Sequence, residues 1–389
     1  MANQFFGALQ KHSNAKVEIL NNYFIPWLRK INLGSYSMSR SLVIDGFAGP
    51  GVYEDGELGS PIKLLLAATE FCDQCDDNGW KQPSITLIFI EGNKDNYNKL
   101  KETIIDNWQA EFDEEDYARL PDYPTIAIQC INNTFATAFK DLLDDIKPGQ
   151  TLIPSFCFVD PFGFKDTPFE LFEKYLSNEK AELLFNFMFE EINRFVTTKN
   201  SPKLMETYSN LFGVDDIQEL QDLIGDHKKD ARKKIVVDYY SRQLLEKSDA
   251  KYVLNFEFKK NGRTKMFLFY STKSTHGLKL MKKQMWKVDD TGLYLFNDKK
   301  SADQIEFEFV KEVKDETMRQ DLSKLIYENF AERQVGIEFI EEFVLTQTIY
   351  PIENYMKQSL KLLEKEGLLI ATNRKKPMSY PDGCMVKFN

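Results

Sequence analysis

The stretch that most constrains the fold is Ser41-Leu-Val-Ile-Asp-Gly-Phe-Ala-Gly-Pro-Gly51. Leu42, Val43 and Ile44 form a short apolar run of the kind that lies buried on both faces of a parallel sheet. The run ends in Asp45, and three glycines follow at Gly46, Gly49 and Gly51. Glycine permits a sharp turn with positive φ and lets a ligand approach bare backbone. A strand running into such a turn is how an open α/β sheet holds a nucleotide-like ligand beyond the strand's carboxyl end. The dinucleotide pattern Gly-x-Gly-x-x-Gly is not met, because Gly49-Pro50-Gly51 is followed by Glu54. A purely structural turn after a buried strand is the competing reading.

The remaining sheet signals fall on both sides of this stretch. Val17, Leu20, Phe24, Trp27 and Ile31 recur at helical spacing and predict a helix over 15–31, closed by Gly34. Beyond the loop, Gly56, Gly59 and Pro61 prevent regular structure, and Ser60 is placed to cap a helix with Pro61 in its first turn. Free backbone N–H groups at such a helix start suit a carboxylate or phosphate. A second strand over 84–90 ends in Glu91, the position at which an acidic residue commonly takes ribose hydroxyls. A helix over 93–108 and an acidic, irregular insertion over 106–122 follow. A third strand over 125–130 ends at Asn132 and Asn133, which suit either an adenine or a plain turn.

The fourth strand, 155–159, runs into Asp160-Pro161-Phe162-Gly163-Phe164, a rigid turn with an acidic acceptor and aromatic faces. There Asp160 would accept a hydrogen bond from an exocyclic amine while Phe162 or Phe164 stacks on an extruded base. A strand-ending turn with core phenylalanines is the alternative. A fifth strand covers 181–188, and helices over 200–247 interrupt the sheet. Two last strands, 252–258 and 265–272, join through Lys259-Lys260-Asn261-Gly262-Arg263, and Asn-Gly is a strong hairpin signal.

The net charge of −10 argues against simple coating of nucleic acid, yet residues 227–287 hold 17 Lys/Arg against 5 Asp/Glu. Such a segment is a candidate polyanion footprint, centred on Lys259, Lys260 and Arg263 at the hairpin tip and on His276, Lys282 and Lys283 beyond it. A solvated lysine-rich surface is the plain alternative. Five scattered cysteines suggest a reducing cytoplasm, and Cys72-x-x-Cys75 is too little for a zinc site, so no metal is expected. The chain lacks an apolar run of membrane length and a signal-peptide pattern. Residues 317–389 read as helices over 321–331, 338–345 and 352–366, then strands over 368–372 and 385–388 about a basic turn with Arg374 and Lys375. Three helices and a two-stranded wing make a winged-helix pattern, with Lys357, Lys361 and Lys365 on the third helix facing either a groove or a docking protein.

The order Asp45-Gly-Phe-Ala-Gly-Pro-Gly resembles the first motif of S-adenosylmethionine (SAM) methyltransferases, whose sheet a closing antiparallel hairpin separates from the all-parallel dehydrogenase sheet. Asp160-Pro-Phe-Gly resembles the Asp/Asn-Pro-Pro-Tyr/Phe of amino-methyltransferases, with Phe162 in place of the second proline. With Gly59-Ser-Pro, Phe158-Val-Asp-Pro-Phe-Gly-Phe, Asn186-Phe-Met, Arg194, Thr275-His-Gly-Leu, Met281 and Met285-Trp286, most of the chain resembles the three-Cys-motif partner family of bacteria. Its glycine loop and Gly-Ser-Pro are also similar to ribosomal-RNA adenine-N6 methyltransferases. Taken together, these readings predict an N-terminal helical segment over 1–40 and a Rossmann-like class I methyltransferase domain over 41–300 with a terminal antiparallel hairpin and a helical insertion at 200–247. They also predict a winged-helix domain over 315–389.

In that frame Asp45, Gly46, Phe47, Gly49, Gly51, Ser60, Glu91 and Asn132 would bind SAM, and Asp160, Pro161, Phe162 and Phe164 would form the acceptor site. The expected activity is methyl transfer to an exocyclic amine of a nucleobase, in RNA before DNA, in the cytoplasm, alongside a partner with a three-cysteine, radical-SAM-like motif. Two alternatives stand beside it. One is a catalytically silent SAM- or nucleic-acid-binding partner of that enzyme, which the altered Asp-Pro-Phe-Gly favours. The other is a regulatory interaction protein whose α/β domain is a scaffold.

Overall fold

A computed structural model describes residues 2–34, 39–147, 149–198, 201–289, 295–297 and 308–389, with the backbone alone described over 2–14, 295–297 and 308–314. The chain divides into two compact units at Gly277 and Leu278. That division falls well before the boundary expected near residue 300, which itself lies outside the described residues.

The first unit opens with α1 (Ala2–Leu33) and β1 (Arg40–Asp45), then α2 (Ser60–Asp77), β2 (Ser84–Ile90) and α3 (Lys94–Trp108). It continues through β3 (Tyr117–Arg119), β4 (Ile126–Ile131), α4 (Phe135–Asp144), β5 (Ser155–Val159), α5 (Phe169–Leu176) and β6 (Ala181–Phe187). Next come α6 (Phe189–Phe195), α7 (Pro202–Phe212), α8 (Gln218–Ile224), α9 (Lys229–Lys247), β7 (Tyr252–Lys260) and β8 (Arg263–Thr272), and α10 (Thr275–Val288) spans the division. Within this unit the strands lie in the order β3-β4-β2-β1-β5-β6-β8-β7. The pairs β4·β2, β2·β1, β1·β5 and β5·β6 are parallel, whereas β8 is antiparallel to both β6 and β7. This is a mostly parallel Rossmann-like sheet closed by an antiparallel hairpin, as the sequence implied for a methyltransferase-like fold.

The strands read as apolar runs because helices cover both faces: β5 and β6 are buried along their whole length. The hairpin turn is the expected Asn-Gly pair, with Asn261 at φ 54° and Gly262 at φ 77°, the positive-φ combination that matches strand twist. Three helices, α7, α8 and α9, fill the predicted insertion. The acidic 106–122 segment is not wholly irregular, since β3 pairs antiparallel with β4 at the sheet edge.

The N-terminal helix falls within the first compact unit. Leu20, Phe24 and Trp27 are buried as their spacing requires, and Tyr23 stacks on Phe156 of β5 at 5.4 Å. Tyr23 also donates to Glu182 of β6, and Lys16 meets Asp160. Lys16 and Tyr23 are seven residues apart, about 10 Å of helix, which carries α1 from the carboxyl end of the sheet toward its other end.

The second unit comprises β9 (Leu295–Asn297), α11 (Glu308–Phe330), β10 (Gln334–Gly336), α12 (Ile337–Gln347), a π-helical turn over Ile352–Met356 that leads into α13 (Lys357–Lys365), β11 (Leu369–Thr372) and β12 (Met385–Phe388). Strands β10, β12 and β11 form a three-stranded antiparallel sheet in that order. Leu360 and Leu363 of α13 are buried, and Lys357 and Lys365 are exposed.

Candidate active site

The site is built at the carboxyl ends of β1, β2, β5 and β6. The order of the sheet reverses at β1, whose neighbours β2 and β5 lead to opposite edges, which makes this the place where an open α/β sheet leaves a crevice. Gly46 N–H donates to Phe158 O at 2.8 Å and Ala48 N–H to Ile90 O at 3.0 Å, so the glycine loop is tied to both neighbouring strands. Gly49 and Gly51 take φ of +66° and +79°, which a side chain strains to adopt. A Cβ on Gly46 would stand 2.6 Å from Phe135, and one on Gly51 2.9 Å from Leu100 Cδ1.

Asp45 is fully buried. Its Oδ1 accepts from Phe47 N–H at 3.2 Å, while Oδ2 is without a hydrogen-bond partner among the described residues. Burial pushes this carboxyl up to about 7, against the pull of the Ser60 side chain and the Phe47 amide and with a further push from Asp160 and Glu91. Ser60 is the first residue of α2 and not its cap: the cap position is Gly59, which offers no side chain. The Ser60 side chain is near enough to Asp45 to pull that carboxyl's pKa down.

Glu91 turns inward. Its Oε2 accepts from Gly49 N–H and its Oε1 from Asn93 N–H, both at 2.7 Å, so the carboxylate braces the glycine loop. Asn132 donates through Nδ2 to Glu91 O at 2.8 Å, which holds the ends of β4 and β2 together. Phe47 packs tilted on Phe135 at 5.4 Å. Tyr53 is a residue the sequence did not single out. Its hydroxyl would lie 3.4 Å from a Cβ on Gly49, and desolvation followed by the charges of Asp160, Asp45, Glu57 and Glu91 pushes it up to about 12.

Asp160 stands beside this loop. Its Oδ2 is 2.6 Å from Lys16 Nζ, and its Oδ1 accepts from Asn186 Nδ2. Asn186 is fully buried, and its own Oδ1 has no hydrogen-bond partner among the described residues. Pro161 is buried, and Phe162 is 81% exposed, the most exposed large apolar side chain described. Phe164 departs from expectation: it is buried and stacks on Tyr208 at 5.2 Å with an interplanar angle of 14°, so its ring belongs to the core. The sequence missed Lys16 because it reads as an ordinary surface lysine. The signal was present, since Lys16 shares the helical stripe of Leu20, Tyr23 and Trp27.

The proposed nucleic-acid contacts fare unevenly. Arg263, His276, Lys283 and Lys375 are exposed, and Lys260 is half-buried. Lys259 lies 3.9 Å from Glu257, a carboxylate shared with Lys233. Lys282 cannot be a nucleic-acid contact. It is 1% exposed, and its Nζ donates to Val344 O, Leu345 O and Thr348 O at 2.8, 3.1 and 2.6 Å, closing the carboxyl end of α12. Burial pushes its pKa down toward 7, while three carbonyls at the negative end of a helix favour the ammonium. Arg374 is likewise engaged, in a forked pair with Glu364 that Tyr380 completes from its hydroxyl at 2.6 Å.

The residues present fit a SAM-like group. Gly49 leaves the loop backbone bare, since a Cβ there would meet only the Tyr53 hydroxyl, whereas Gly51 packs against Leu100 and Ile62. Asp45 Oδ2 is a buried acceptor beside the loop with no hydrogen-bond partner among the described residues.

No protein-family model matches the chain, and no curated protein matches it in sequence. Among solved structures it is similar to Trm1 from Pyrococcus horikoshii in complex with SAM, at 13% identity and a TM-score of 0.34, over 68% of this chain and 58% of that one. It is also similar to the O-methyltransferase TomG from Streptomyces achromogenes, at 15% identity and a TM-score of 0.34, over 69% and 90% of the two chains. The N-terminal domain of human METTL16 in complex with S-adenosylhomocysteine aligns at 16% identity and a TM-score of 0.28, over 64% and 69%.

Proposed function

We propose that this chain is a SAM-dependent methyltransferase acting on an exocyclic amine of a nucleobase, in RNA before DNA. The observation that supports it most is one juxtaposition. Asp45, with its leftover buried acceptor, and the glycine cradle end β1. Asp160, with the bare Phe162 two residues on, ends the adjacent β5. SAM when bound supplies an electrophilic methyl on a cationic sulphur. Gly49 and Gly51 would admit its backbone, Asp45 would orient its amino group, and Glu91, which keeps a lone pair on each oxygen, would take the ribose. Asp160 would accept from the target amine and Phe162 would stack on the base. The rate gain would come chiefly from in-line positioning of the reactants. An attacking amine can lose its proton after transfer, so Asp160 need not be a strong base.

From α11 onward the second unit, with its helix–strand–helix–helix–strand–strand order, reads as a winged helix whose exposed lysines on α13 would meet phosphates. A radical-SAM-like protein with a three-cysteine motif is the proposed partner, and the cytoplasm the proposed compartment. A second reading, a catalytically silent SAM- or nucleic-acid-binding partner, is favoured by the capture of both Asp160 oxygens by Lys16 and Asn186. Two measurements decide between them. Calorimetric titration with SAM and S-adenosylhomocysteine is expected to give micromolar binding that Asp45→Ala abolishes. Labelled SAM with bulk RNA or DNA is expected to give transfer that Asp160→Ala lowers at least tenfold. Binding without transfer favours the silent module; absence of SAM binding by a folded wild type sinks the methyltransferase and leaves the silent module only as a nucleic-acid binder.

A further inference from the structure

Helix α1 delivers to the acceptor end of the site a group that no motif assigns. The Lys16 side chain is only 8% exposed where it meets Asp160, an unusual position for a lysine. Asp160 is therefore gripped from two sides, by an ammonium on Oδ2 and by the Asn186 amide on Oδ1. A carboxylate accepts only, so Asn186 must turn its NH2 toward Asp160, and the orientation of that buried amide is fixed through the same carboxylate. The charges of Asp160 and Glu91 both bear on the buried Asp45 carboxyl, so the three acidic side chains share one end of the sheet. A third carboxylate left without a cation in such a place is strongly unfavourable.

We propose that Lys16 is the counter-ion of Asp160 in the methyl-transfer site, a positioning residue that holds the carboxylate in place and sets the charge a bound sulfonium meets. The proposal rests on the cofactor reading given above and makes α1 part of the site. SAM is cationic at sulphur, and S-adenosylhomocysteine is neutral there and otherwise nearly the same molecule. The ratio of their affinities therefore reports the local charge. Replacing Lys16 by a neutral side chain bares Asp160 and favours SAM. Replacing Asp160 by asparagine bares Lys16 and disfavours SAM. A unit charge ~5 Å from a cation is worth about fourfold in affinity even at the dielectric constant of water.

The test is calorimetric titration of the full chain with both ligands at low ionic strength, in wild type, Lys16→Met, Lys16→Arg and Asp160→Asn, each checked for folding by circular dichroism. Lys16→Met is expected to raise the preference for SAM about fourfold or more, Lys16→Arg to keep the wild-type ratio, and Asp160→Asn to lower it about fourfold or more. A lysine that merely packs α1 would weaken both ligands alike. An unchanged ratio in Lys16→Met and Asp160→Asn, with both ligands still bound, overturns the proposal. If Lys16→Met does not fold, an unchanged ratio in Asp160→Asn overturns it alone. A folded wild type that binds neither ligand overturns the cofactor reading instead, so the two failures are told apart.

Discussion

Asp45 ends β1 with no exposed surface, and burial, the first cause, pushes its carboxyl up to about 7. The folded protein then keeps a proton on Asp45 that the unfolded chain releases at about 4. The folded state binds more protons between these values, so stability falls as pH rises from about 4 to about 7, and the loss is complete above that. Asp45→Asn removes the effect. The ligand-free variant should melt several degrees above wild type at pH 8 and converge with it toward pH 4, read by scanning calorimetry, while losing cofactor binding. A melting curve for Asp45→Asn that tracks wild type at every pH would refute this. Gly51 makes a second residue-scale case. A methyl there adds a positive-φ strain and a 2.9 Å approach to Leu100, whereas Gly56, at φ +82°, faces open space. Urea titration should show Gly51→Ala destabilised by about 2 kcal/mol or more and Gly56→Ala by about 1. Equal losses would mean that the approach to Leu100 is relieved without cost.

At the scale of elements, the carboxyl end of α12 depends on a side chain from α10. Three carbonyls, of Val344, Leu345 and Thr348, converge on Lys282 Nζ. Helix ends buried without donors are costly. Lys282→Met should therefore lower the stability of the second unit by about 2 kcal/mol or more and leave RNA affinity per folded molecule unchanged, whereas Lys283→Ala should leave stability alone. Thermal unfolding together with filter binding separates the two; a selective loss of RNA affinity in Lys282→Met would restore it as a contact. The hairpin shows the opposite relation between sequence and structure. Asn261 and Gly262 carry their turn type in their own chemistry, and the structure has the turn the dipeptide demands.

At the scale of the molecule, the net charge of −10 and the basic 227–287 segment frame how a polyanion would be bound. The segment does not act as a uniform patch: Lys233 pairs with Glu257, Lys265 with Glu190, and Lys282 is buried. On α13, Lys357 and Lys365 are exposed and Lys361 half-buried. Replacing all three by glutamate should weaken RNA binding at low salt and reduce the slope of log affinity against log salt by about 2 or 3, with S-adenosylhomocysteine binding intact. An unchanged slope would assign α13 to protein docking.

The sequence by itself determined the parallel strands β1, β2, β4, β5 and β6, the glycine loop, the Asn-Gly hairpin and the acidic strand ends Asp45, Glu91 and Asp160, because each follows from local periodicity and from backbone needs that few residue types meet; the short strands β3 and β10 carry no such signal. Only the tertiary structure decided which side chains were already spent. Phe164 and Phe162 are two residues apart in one motif, yet one stacks in the core and the other stands bare. Lys282 and Arg374 read as cations for a ligand until the carbonyls of α12 and the carboxylate of Glu364 claim them. Lys16 reads as surface until α1 folds back over the sheet and sets it against Asp160. A side chain's charge is local to the sequence, but its partner comes from far along the chain, and only packing brings the two together.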